Sequence, residues 1–130
     1  MTSSKPVFWA VTLSAAVLFA ASLCLLFAPD ESVRALFPDQ GGIGGSPILA
    51  SLLGACLFGF ASMNWIARHS LLGGIYGRAV VVGNQAHFFI GTLLLTRYLY
   101  PATSPALWAL FGLYLFGAVL FSYLLFRKTV

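Results

Sequence analysis

Polar side chains inside long apolar stretches carry most of the chemistry this sequence could perform, because polar groups are costly in hydrocarbon and are kept for a reason. His87 stands in the uncharged run from Ala79 to Leu95. At about 100° per residue, Val80, Gly83, Asn84, His87 and Gly91 share one stripe of a helix. Counting about 1.5 Å per residue from Ala79 puts His87 about 12 Å inside, near mid-membrane. On the preceding apolar run, Gly54, Ala61, Asn64 and Arg68 share a face. Asn64 and Arg68 are one turn apart, and Trp65 lies beside them. Tyr76 and Arg78 stand in the connection between the two runs. If the two helices pack through these faces, Asn64, Arg68, Arg78, Asn84 and His87 form a polar track descending from one surface. With Tyr76 these are the candidate ligand-binding residues.

Two readings of the track stand side by side. In the functional one, Arg68 and Arg78 form a fork for an anionic head group, and His87 and the asparagines recognise something polar below, on a lipid or a quinone-like molecule. In the structural one, the arginines are interfacial anchors, and Asn64, Asn84 and His87 make interhelical hydrogen bonds worth about 0.6 to 2 kcal/mol each.

Sharper chemistry fails on residue inventory. Two histidines and two separated cysteines, Cys24 and Cys56, do not make a metal-ligand set, and His69 and His87 stand at different depths for paired haem ligation. No carboxylate lies in an apolar run, so a serine or cysteine triad has no orienting acid and a proton relay has no partner. The net charge of +4 is spread along the chain rather than clustered on one face, so it is no nucleic-acid footprint. No catalytic or metal-binding residue is assigned, and no cofactor other than lipid or quinone is expected.

The elements that must position these residues follow from composition. The chain has 130 residues, 60% hydrophobic and 8% charged, with a mean hydropathy of +0.94. That leaves too little polar surface for a soluble domain, which carries about 25% charged residues. Uncharged stretches of about 20 residues mark spans at residues 8–28, 47–66, 79–97 and 106–126. Transmembrane strands are a poor alternative, because the runs are continuous rather than alternating and a barrel would need about eight strands. Short connections predict an all-α integral membrane protein, an antiparallel up-down bundle of four transmembrane helices in a single domain over residues 1–130. The first run is too long for the apolar region of a cleaved leader, about 7 to 15 residues, and bulky Leu23 stands where lipidation at Cys24 would want a small residue.

The first connection carries Val33, Leu36 and Phe37 opposite Asp30, Glu31 and Arg34, the pattern of a short interfacial helix ended by Pro38. Gly41, Gly42, Gly44 and Gly45 read as a turn. Close helix packing is expected at Gly54, Gly59, Gly83 and Gly91, with Ser51 and Ala55 beside Gly59. Lys5, Arg68, Arg78, Arg127 and Lys128 on one side, against Arg34 and Arg97 on the other, predict cytoplasmic N- and C-termini, in a bacterial inner membrane. Tyr98, Tyr100 and Trp108 fit an aromatic belt at the opposite face.

Over most of its length the chain resembles the small four-helix bacterial membrane proteins of the DoxX-like kind. The likeness rests on span number and on Leu53, Gly54 and Ala55 with Gly59, then Ala67, Arg68, and later Arg78 with His87. The resemblance implies an accessory membrane subunit, in some families associated with quinone or redox systems, and brings no catalytic set. The expected function is therefore a non-enzymatic accessory or assembly protein, whose partners are the bilayer and either another membrane protein or further copies of itself. An oligomeric small-molecule transporter or channel is the first alternative, although no span holds an acid to couple ions. A membrane-embedded enzyme subunit is the second.

Overall fold

A computed structural model of the protein describes residues 5–38, 47–69, 74–99 and 104–127. The glycine cluster at Gly41, Gly42, Gly44 and Gly45, residues 70–73 of the second connection, and Asp39, Tyr100, Pro101 and Lys128 lie outside the described residues. The regular elements of the described residues are all helices: α1 (Lys5–Phe27), α2 (Pro29–Leu36), α3 (Pro47–Ala67), α4 (Gly74–Thr96) and α5 (Pro105–Phe126). α1, α3, α4 and α5 are 21 to 23 residues long. At about 1.5 Å per residue that is enough to cross a hydrocarbon core of about 30 Å. They expose apolar side chains such as Leu13, Leu52, Val82 and Val119, which a lipid solvent accepts and water would not. The protein is an integral membrane four-helix bundle, with α2 as the short helix between the first two spans.

α4 differs from expectation at its start. It begins at Gly74 rather than Ala79, so Tyr76 and Arg78 belong to its first turns instead of a loop. Hydropathy marks where lipid ends, whereas a helix continues until its backbone bonding is interrupted, and residues 74–78 contain no proline to do that.

The bundle is built from two antiparallel pairs, α1 on α3 and α4 on α5, meeting along a narrower α3–α4 seam. In lipid no hydrophobic force favours one apolar face over another, so small residues set the close approaches. At Gly54 a Cβ would stand 3.0 Å from Leu25 Cβ and 3.1 Å from the Ser22 carbonyl, so α1 lies directly on α3 there. Gly91 receives the Tyr114 ring, and Gly117 the Phe88 ring. Gly59 and Gly83 have nothing within 4 Å, and Ala55 is exposed, so the expected packing roles of Gly59 and Gly83 are not fulfilled within the chain. Each lies on the flank of its helix, away from the partner, because a glycine pattern records spacing but not which neighbour it faces.

α2 is amphipathic as expected, with Pro29 in its first turn, Asp30 and Glu31 toward the positive end of its dipole and Arg34 toward the negative end. It is fastened to the start of α5. Ser104, the N-cap of α5, accepts from the Leu107 N–H at 3.3 Å and donates through Oγ to the Leu36 carbonyl at 2.9 Å. Phe37 meets Tyr98 edge to face, with ring centroids 6.0 Å apart. Ser104→Ala is expected to cost about 1 kcal/mol through the lost cap and to speed amide exchange in α2. Ser104→Asp restores the cap acceptor but cannot donate to Leu36, so it should recover the thermal midpoint and leave α2 exchange fast. Slow exchange in both variants would show that the Ser104–Leu36 bond does not hold α2.

Candidate functional site

The α3–α4 seam brings two of the candidate residues together. Asn64 and Asn84, both fully buried, face each other as a reciprocal amide pair. Asn64 Nδ2 donates to Asn84 Oδ1 at 2.8 Å, and Asn84 Nδ2 donates to Asn64 Oδ1 at 2.7 Å. The remaining Nδ2 proton of Asn84 goes to the Val80 carbonyl one turn back, at 2.9 Å. Asn84 thereby uses both amide donors, and each amide presents its oxygen to the other. Asn64 is three residues from the end of α3 and Asn84 ten from the start of α4. The first turns of α4 therefore project about 10 Å past the end of α3.

His87 lies at the meeting of three helices. Its ring stacks on Phe60 of α3, centroids 4.6 Å apart and 24° between planes, and its Nε2 is 3.2 Å from the Tyr114 hydroxyl of α5. Phe88 touches both His87 and Tyr114 edge to face and stacks on Phe121 at 5.7 Å. A hydroxyl and an imidazole each both donate and accept, so the Tyr114–His87 bond satisfies one polar atom of each side chain inside the bundle. Thr12, Ser62 and Thr92 return their hydroxyls to carbonyls four residues back on their own helices.

The remaining candidates stand elsewhere, so the expected continuous track is not formed. Arg68 turns back along α3, with its guanidinium 3.8 Å from the Trp65 ring centroid, and donates to the Trp65 carbonyl. It also lies 5.9 Å from the Phe8 ring of α1, which meets His69 at a tilt, with ring centroids 4.9 Å apart and 39° between planes. This cluster ties the start of α1 to the end of α3. Arg78 and Tyr76 are exposed and have no polar partner among the described residues. Nine residues at about 100° each place Arg78 on the opposite side of α4 from His87. Arg68 and Arg78 therefore do not close as a fork over His87; the helical phase that aligned Asn84 with His87 carries Arg78 away. No cluster of three metal-ligating side chains occurs among the described residues.

Between the two helix pairs, on the α2 side, lies an apolar cavity of about 370 Å³, within the usual range of ligand sites. Leu25 of α1, Leu53 and Leu57 of α3 and Leu110 of α5 wall it, α2 covers it through Ala35 and Leu36, and Tyr114 stands at its inner end. The sequence signals are the small residues Ala21, Ala106 and Ala109, which leave the space unfilled, and the amphipathic α2 that covers it. They escape notice because alanine in a span reads as ordinary apolar content.

Comparison of the chain with protein-family models, with curated proteins and with solved structures gives no match.

Proposed function

We propose that the protein is an accessory or assembly protein of the bacterial inner membrane, with both termini cytoplasmic, that takes a lipid-phase molecule as its ligand. The observation that carries this reading is the apolar cavity under α2, a concave site between the two helix pairs of the membrane-spanning bundle. The buried amides support it from the other direction, since Asn64 and Asn84 bond to each other and join helices rather than line a path. The orientation is supported by Lys5, Arg68, Arg78 and Arg127 standing at one end of the bundle, against Arg34 and Arg97 at the other. The accessory role agrees with what the DoxX-like resemblance implies.

Native mass spectrometry of protein extracted in mild detergent tests the proposal. The expected spectrum contains the chain with one retained lipid or quinone-type molecule. A defined homo-oligomer without bound small molecule, together with solute flux after reconstitution into vesicles, would overturn it in favour of a channel.

A further inference from the structure

We infer that the cavity under α2 holds one acyl chain of a phospholipid from the leaflet on the α2 side. This rests on the reading of the chain as a binder of a lipid-phase molecule, and it names the ligand class and the place.

The surroundings decide between occupants. The cavity lies where the two helix pairs part, and α1 and α5 have no extended packing face with one another. Its opening therefore meets hydrocarbon. An unfilled space there forfeits the dispersion contacts of its lining, and the molecules at hand to restore them are lipid chains. The polar lining residues are Cys24, Ser32 and Tyr114. Ser32 belongs to α2, at the surface, and the Tyr114 hydroxyl at the inner end is bonded to His87. A quinone ring would bring two carbonyl oxygens in need of donors to the depth of Tyr114, where the lining offers a single hydroxyl proton, shared with the contact to His87. An acyl chain brings none, because its polar ester and head group stay at the mouth.

The mouth suits that head group. α2 turns Asp30, Glu31 and Arg34 outward and lines the cavity with Ser32, Ala35 and Leu36, so it lies at head-group depth over the cavity. A helix of a second copy, about 10 to 12 Å across with its side chains, is too thick for this space, whereas one unbranched chain fits.

The test uses the full chain in vesicles of phosphatidylglycerol containing a trace of the same lipid with a photoactivatable diazirine at mid-chain. Crosslinks are expected on α1 near residues 21–25 and on α5 near residues 106–113. Ala106→Phe and Ala109→Phe each put a large ring at a lining position of the cavity and should each lower that labelling about tenfold, as a corresponding loss of occupancy requires. Circular dichroism and the thermal midpoint confirm that each variant folds, and either variant alone suffices. Labelling spread evenly over exposed α3 and α4 positions such as Phe58 and Phe89, or unchanged in a folded cavity-filled variant, would overturn the assignment. A retained quinone that blocks the labelling would overturn the acyl chain while leaving the lipid-phase ligand intact. Localised labelling in a protein that conducts solute supports the acyl site and overturns the accessory role instead.

Discussion

Gly117→Ala and Gly91→Ala are each expected to destabilise the bundle by about 1 to 3 kcal/mol, the usual cost of overpacking a close contact. A Cβ at Gly117 would lie 2.5 Å from Phe88 Cδ1, and one at Gly91 would lie 2.3 Å from Tyr114 Cε1. Neither ring is free to swing aside. Phe88 is 1% exposed and held by Phe121, Tyr114 and His87, while Tyr114 is tied to His87 through its hydroxyl. The added methyl must therefore push α4 from α5, which disturbs the aromatic cluster around His87 and the inner end of the cavity together. Gly59→Ala and Gly83→Ala meet nothing within 4 Å and should leave stability unchanged or slightly raised. Unfolding of the four variants in micelles, followed by circular dichroism, checks the contrast. Equal effects at all four sites would mean that glycine content, rather than these two contacts, sets helix separation.

Asn64→Leu and Asn84→Leu should each cost about 1 to 2 kcal/mol, because either change leaves a buried amide facing an apolar side chain at the α3–α4 seam. The double variant should cost less than the two singles combined, since it removes both amides and strands neither. A double-mutant cycle on the unfolding free energy measures this coupling directly. Strict additivity would show that the two side chains act independently, which the reciprocal bonds of 2.8 and 2.7 Å do not predict. The seam has less helix-to-helix packing than either pair, so a loss here should separate the pairs before it unfolds them. Retained helicity with faster exchange along α3 and α4 would be the signature.

These two results bear on the same question from opposite sides, because one concerns shape and the other hydrogen bonding. The aromatic cluster around His87 is contiguous with the cavity through Tyr114, whereas the Asn64–Asn84 pair belongs to the seam. A change at Gly91 should therefore alter lipid labelling of the cavity more than a change at Asn64 that costs the same stability.

The sequence alone determined the number of spans, their approximate limits, the short amphipathic helix after the first span, and the separation of Lys5, Arg68, Arg78 and Arg127 from Arg34 and Arg97. Those features are legible because the bilayer is a solvent that sorts residues one at a time by charge and hydropathy. The stripe of Asn84 and His87 was legible too, since helical phase is arithmetic over neighbouring positions. Packing settled that Asn64 meets Asn84, that His87 meets Tyr114, that α4 extends back to Gly74 and so holds Arg78 on its far side, and that Gly54 and Gly91 are close contacts while Gly59 and Gly83 are not. It also brought in Gly117 and the cavity, whose alanine lining reads in the sequence as ordinary apolar content. The physical reason is common to all of them. A span that is apolar on every side offers no amphipathic stripe to name its buried face, so partner choice depends on the fit of side chains from distant parts of the chain.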